Sequence, residues 1–174
     1  MPEPLLHFTI AFASSKLAGL DDERSLLIAF FSLVPDLDVF FHVHRSLTHS
    51  LVPWLLIALP VILVPKRENR IRLLFILLLV GVSLHIFLDM FCGYTPFLWP
   101  IYGKAVSIRV SFNVRIASLM SFRTGISLDE TPVVFTYIDK IDAPLMTERG
   151  IAVSLALFVP YTLRRILKAS SLRA

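Results

Sequence analysis

Apolar runs of helix length recur along the chain, separated by short polar stretches. The two strongest are residues 50–65, SLVPWLLIALPVILVP, and 73–92, LLFILLLVGVSLHIFLDMFC. A third, 150–167, is already basic in its last turn. At ~1.5 Å per residue, 50–65 reaches roughly 24 Å, short of a ~30 Å hydrocarbon core, so a helix there must thin the bilayer or be partly covered by protein. Residues 73–92 are long enough to cross. Residues 5–20 and 25–34 are weaker and are expected as a helical hairpin, each arm a short span or a helix dipping in from one face. GLDDER between them supplies a turn and the start of the second helix.

From residue 93 to 149 the period changes. Val106, Ile108, Val110, Phe112, Val114 and Ile116 alternate with Ser107, Arg109, Ser111, Asn113 and Arg115, the period-two pattern of a strand with one wet face. Residues 132–138, PVVFTYI, are apolar, β-branched and aromatic, and predict a second strand. Lipid does not tolerate an open sheet edge. The segment is therefore expected as a small β-hairpin or sheet outside the bilayer, with the membrane surface as a resting place. The predicted fold class is mainly α: a single membrane domain over residues 1–174 with four to five membrane-embedded helices and an extramembrane β insertion at about 93–149.

Composition agrees with the pattern. The chain is 56% hydrophobic and 17% charged, with a mean hydropathy of +0.74, more apolar than soluble domains. No internal repeat, linker or low-complexity tract suggests a second domain. A net charge of +4 raises nucleic acid as a partner, but the basic residues cluster beside apolar runs, where orienting a membrane protein explains them better. The single cysteine, Cys92, excludes an intrachain disulfide and a thiolate cage; packing is its expected role. The first residues lack the basic start of a cleavable signal, so His7 is expected to remain in the chain.

Orientation follows from the basic loops. PKRENRIR lies between the two strongest runs and RRILKASSLRA ends the chain, and both are placed in the cytoplasm by the positive-inside rule. Alternating the helices from there brings His42, His44, His49, Asp36, Asp38, His85, Asp89 and His7 to the extracytoplasmic end. That convergence survives inversion of the whole molecule. An acidic residue in an apolar helix costs about 2.5–3.5 kcal/mol, and such residues mark functional paths. His85 and Asp89, four apart, share one helix face and suit one ion together. Asp36 and Asp38 flank Leu37 after a proline, where extended backbone would point both carboxylates the same way. Imidazole with carboxylate suits Zn, Mn or Fe.

Each of these residues has a plainer reading. A lone His85 is more often a satisfied core histidine, and PDLD alone is a helix end and turn. His42 suits a wet interface. Arg45 either snorkels to headgroups or fixes a substrate phosphate by a bidentate contact. Thr48 and Ser50 either cap the next helix or hydrogen-bond to a ligand residue.

PDLD, HRSLTHS and LHIFLDMFCGYTPFLWP together resemble the YdjM family of membrane-bound metal-dependent hydrolases, also described as LexA-binding inner-membrane proteins. The matching residues are His7, Asp36, Asp38, His44, Arg45, Thr48, His49, Ser50, His85, Asp89, Gly93, Trp99 and Pro100, over roughly residues 5–102. Val39 departs from the pattern, since many members carry His there; either His42 substitutes or the site has one ligand fewer. The family is distantly similar to zinc-dependent phospholipase C, a fold-level likeness that fixes no substrate.

The resemblance and the convergence together imply a metal-dependent hydrolase, cleaving a phosphoester of a lipid or polyprenyl-type substrate at the membrane surface. His7, Asp36, Asp38, His49, His85 and Asp89 are the expected metal ligands, for one to three divalent ions, zinc first and manganese or iron next. His44, Arg45 and Thr48 are the expected catalytic residues, with His44 a ligand or general acid and Arg45 neutralising phosphate charge. Peptide hydrolysis would want an HExxH glutamate, which the sequence lacks. A metal-binding transport or binding protein and a non-catalytic adaptor are the alternatives.

Overall fold

The computed structural model describes residues 3–43, 45–64, 69–116, 120–135, 137 and 145–171. Helices α1 (Pro4–Leu17) and α2 (Asp22–Phe31) come first. Two 3-10 segments follow, Pro35–Phe41 and Leu47–His49, and then α3 (Leu51–Leu63) and α4 (Asn69–Cys92). Strands β1 (Lys104–Ile116) and β2 (Met120–Pro132) precede α5 (Glu148–Ser171).

Local chemistry sets the helix starts. Pro4 stands in the first turn of α1, where its missing N–H leaves nothing unpaired. The Asp21 carboxylate caps α2, accepting from the Arg24 backbone N–H at 2.8 Å. Ser50 caps α3 through the Val52 N–H at 3.3 Å. Glu3 holds the beginning of α5, its carboxylate accepting from the backbone N–H and the hydroxyl of Thr147.

α1 and α2 form the expected hairpin, α4 packs on α2, and α3 on α4. α5 runs parallel to α1: Thr9 Oγ1 lies 2.9 Å from Ser154 Oγ, Phe12 stacks on Phe158, and the Tyr161 O–H donates to Asp22 at 2.5 Å. Contact between α2 and α4 is closest at Gly81, where a Cβ would sit 2.7 Å from the Ile28 carbonyl oxygen. Small hydroxyls line the interior and bond back along their own helices: Ser15 to the Ala11 carbonyl, Ser25 to Asp21 and Ser32 to Ala29. Leu56, Leu63 and Leu155 face outward. Small and polar inside with leucine outside is how helices pack when the solvent is lipid.

Among the described residues, one helix is long and apolar enough to cross a membrane: α4. Its 24 residues reach about 36 Å. The four or five embedded helices expected from sequence thus come down to one qualifying span. α1, α2 and α3 stop at 14, 10 and 13 residues, and charged Glu148, Arg149, Arg164 and Arg165 close in the apolar stretch of α5.

The sheet is a two-stranded antiparallel ribbon. β1 falls where the alternation put it, but β2 is Met120–Pro132 and not 132–138. The register sets Val110 opposite Ile126 and Val114 opposite Phe122, so MSFRTGISLDETP carries the matching alternation, diluted by Thr124 and Gly125. Pro132 has no N–H with which to extend the ladder. Beyond it Val133 donates to the Gly103 carbonyl and Tyr137 makes an isolated bridge with Val43; residues 136 and 138 lie outside the described residues. Cys92, expected to serve packing, is exposed at the end of α4.

Candidate metal centre

One end of the helical body collects the start of α1, both 3-10 segments and the last turns of α4. His7, His49 and His85 are fully buried there, with Asp89 at 1% exposure. His85 Nε2 faces His49 Nε2 at 3.2 Å. Asp36 Oδ1 lies 3.6 Å from each of those nitrogens, and Asp89 Oδ2 lies 3.4 Å from His49 Nε2 and 3.9 Å from His85 Nε2. His7 stacks on His85 with ring centroids 3.9 Å apart and brings its Nε2 to 3.5 Å from Asp89 Oδ1. Two overlapping donor groups result, His7, His85 and Asp89, and Asp36, His49 and His85.

Hydrogen bonding fixes which nitrogens point inward. His85 Nδ1 donates to the Ser32 carbonyl at 2.7 Å, leaving the Nε2 lone pair facing the cluster. His49 Nδ1 lies 3.1 Å from Asp38 Oδ2, so its Nε2 also faces inward. Two imidazoles cannot hold bare lone pairs against each other at 3.2 Å; a proton or a cation belongs between them. Burial disfavours charge on His49, yet its bonds to Asp36 and Asp38 outweigh that and push its pKa up to about 9.

The donor set fits a divalent metal. His7 Nδ1 is buried without a hydrogen-bond partner, and His7 Nε2 and Asp89 Oδ2 have charge contacts at 3.5 and 3.2 Å but no aligned hydrogen bond, an expense that native interiors avoid unless something else satisfies the group. Donors on a tetrahedral ion with bonds of ~2.0–2.2 Å stand ~3.3–3.6 Å apart, close to the 3.2–3.6 Å spacing among Asp36, His49 and His85. Mixed imidazole and carboxylate donors suit Zn, Mn or Fe. His85 belongs to both groups but has a single lone pair to give, so the groups are not two independent sites.

Asp38 lies in neither group. Residues 35–41 form a 3-10 helix, not the extended backbone expected, because Pro35 starts a tight helical turn. The two carboxylates therefore diverge. Asp36 reaches the inward face of His49, whereas Asp38 stands behind it and accepts from the Ser46 N–H, the Ser46 hydroxyl and the Thr48 hydroxyl at 3.1, 3.0 and 3.0 Å. Asp38 thus stands on the Nδ1 side of His49, and Thr48 bonds to it. Ser50 both caps α3 and donates to the Trp99 carbonyl at 2.5 Å.

Arg45 serves Asp89. Its Nε lies 3.2 Å from Asp89 Oδ2, and its Nη1 and Nη2 donate to the carbonyls of Tyr94 and Asp89. A Cβ at Gly93 would sit 2.2 Å from Arg45 Nη1, so the glycine makes room for the guanidinium. His42 adopts φ 57° and stacks on Tyr137, away from both donor groups. His44 lies outside the described residues. Sequence reasoning missed Ser46 and the Ser32 carbonyl; a lone serine and a backbone oxygen carry no motif.

Asp36 keeps 19% and Arg45 17% of its side chain exposed, while the imidazoles are closed off. On the segment that carries Asp36, Leu37, Phe40 and Phe41 are exposed. No curated protein and no solved structure matches the chain. The sequence profile of the YdjM inner membrane protein family matches residues 3–168, from the start of α1 to within the last turn of α5, and the chain belongs to that family of inner membrane proteins.

Proposed function

We propose that the chain is a metal-dependent hydrolase that cleaves a phosphoester of a lipid or polyprenyl-type substrate where the membrane meets water. The observation that carries this reading is the pair of buried imidazole nitrogens facing each other at 3.2 Å, flanked by Asp36 and Asp89. His49, His85, Asp36 and Asp89 would hold the ion, with His7 beside them. Bound there, a zinc, manganese or iron ion supplies Lewis acidity and a water acidic enough to attack near neutral pH.

The chain's own groups do the rest. Asp38 and the Ser32 carbonyl hold the two imidazoles in the ligating tautomer. Arg45 holds Asp89 in place, and its partly exposed guanidinium is available to a phosphate. His44, from its place in the sequence motif, is assigned as a further ligand or the general acid. Exposed Leu37, Phe40 and Phe41 on the segment that carries Asp36 favour a substrate with a hydrocarbon tail. Transport is the weaker reading, since the candidate ligands gather at one end of the helical body and do not continue along it among the described residues.

Metal analysis of the purified protein tests the proposal. A stoichiometric transition metal is expected, lost in His49→Ala and Asp89→Asn together with hydrolysis of phosphorylated lipids. Wild-type protein without such a metal, or variants that keep full metal and activity, would overturn it. Metal retained without hydrolysis of any phosphoester would move the reading to a binding protein or an adaptor.

A further inference from the structure

From Val110 to Leu128 the β1–β2 ribbon is amphipathic, interrupted on its apolar side by Thr124 and ending at its base in the Lys104–Glu130 ion pair. Register puts even-numbered positions of both strands on one face and odd-numbered ones on the other. The even face carries Val110, Phe112, Val114, Phe122, Ile126 and Leu128, all exposed, with Phe112 at 64% and Ile126 at 77%. The odd face carries Arg109, Ser111, Asn113, Arg123, Ser127 and Asp129. Among the residues whose burial is described, the buried ones lie at the base, where Ala105, Val106 and Ser107 pack at the end of α4. A two-stranded ribbon with one bare apolar face is not stable in water by itself, and a patch of this kind marks a surface that something covers.

We propose that this even-numbered face rests on the anionic lipid surface of the bilayer that α4 crosses. Position argues for lipid. The ribbon starts where the spanning helix stops, fixed by the Ser107 hydroxyl on the Met90 carbonyl at 3.3 Å and by the paired hydrogen bonds between Thr95 and Val106, so its apolar face begins at the edge of an apolar medium already in contact with the chain. The open strand edges argue for depth: unpaired backbone groups keep the ribbon out of the hydrocarbon core and leave it the interfacial layer, where Phe112 and Phe122 can sink while the edges stay wet. Charge argues for anionic headgroups. Residues 104–132 carry Lys104, Arg109, Arg115 and Arg123 against Asp129 and Glu130, and basic segments near the membrane are drawn to acidic lipids. The same excess of positive charge opposes pairing with a second copy of the ribbon. This inference rests on the fold and does not depend on the metal reading.

Nitroxide labels on opposite faces of the full chain test it. In a Cys92→Ser background, single cysteines at Phe112 and Ile126, and at Asn113 and Ser127, are spin-labelled and the protein is reconstituted into phosphatidylethanolamine and phosphatidylglycerol vesicles. Labels at 112 and 126 are expected to collide with dissolved oxygen and to be shielded from a water-soluble nickel chelate, with the reverse at 113 and 127. The contrast is expected to shrink in vesicles of phosphatidylcholine alone. Equal nickel access on both faces would show a ribbon standing free in water and overturn the proposal. So would spin–spin coupling between copies at 126, which would assign the face to a second chain.

Discussion

Asp36 and Asp38 stand on opposite sides of one imidazole, and the difference has measurable consequences. Asp36 shares the inward face of His49 with His85, whereas Asp38 bonds to Nδ1 from behind. Loss of an outer partner of this kind typically lowers metal affinity about 10–100-fold. Asp38→Asn is therefore expected to weaken metal binding by that factor, and His49→Ala to remove it, as read by chelator competition on the purified protein. Gly93→Ala probes Arg45 without touching it. The added Cβ collides with the far end of a flexible side chain, so the fold should survive while the guanidinium leaves Asp89. Metal affinity is expected to fall with little change in melting temperature; unchanged affinity would show that Arg45 does not hold Asp89. His7, Asp36, His49, His85 and Asp89 were legible as a group in the sequence, because alternating helix directions and the His85–Asp89 spacing bring them to one end. The role of Asp38 was not legible, since two carboxylates two residues apart read alike until the backbone between them is known to be a 3-10 turn.

Helix contacts carry the site's precision. Gly81 lets α4 approach α2 so closely that a Cβ would meet the Ile28 carbonyl and the Ser32 backbone nitrogen at 2.7 and 2.9 Å. Those atoms are main chain and cannot swing aside. Gly81→Ala is expected to destabilise the protein by about 1–3 kcal/mol, the usual result of overpacking. It should also reduce metal content, because Ser32 holds His85 from the displaced helix end; thermal melting and metal analysis of the same sample check both. At the opposite end, Asp22 joins three helices by binding Lys16 and Arg165 at 2.8 Å and Tyr161 at 2.5 Å. The Lys16 and Tyr161 bonds hold its carboxyl below the ordinary 3.8. A carboxylate lowered on folding stabilises above its unfolded pKa and loses that contribution as pH falls through its folded one. The difference in melting temperature between wild type and Asp22→Asn, present at neutral pH, is thus expected to close below about pH 4; a gap that persists there would assign the tie to packing. The helix order and β1 were legible from apolar period, but β2 was not, because its apolar positions Phe122, Ile126 and Leu128 are interrupted by Thr124 and end at Glu130, too short an alternation to stand out.

For the whole molecule the open matter is which side of the membrane the site faces. The ends of α1 and α3 and the starts of α2 and α4 lie together, away from the metal centre, and this end carries Lys16, Arg24, Arg70 and Arg72. Arg72 is fixed there by its bond to the Val64 carbonyl at 3.1 Å. Short basic loops stay in the cytoplasm, whereas the Lys and Arg of a long translocated segment such as 93–149 weigh little. The site and the ribbon are therefore expected on the extracytoplasmic face, which would restrict the substrate to lipid exposed in the outer leaflet. Glu23 and Ser127 are both exposed, one at each end, and serve as reporters once Cys92 is replaced by Ser. A membrane-impermeant maleimide should label Ser127→Cys in right-side-out vesicles and Glu23→Cys only in inverted ones. The reverse labelling would put the centre on the cytoplasmic face without separating its residues, since inversion leaves every helix contact unchanged, and the candidate substrates would then be lipids of the inner leaflet.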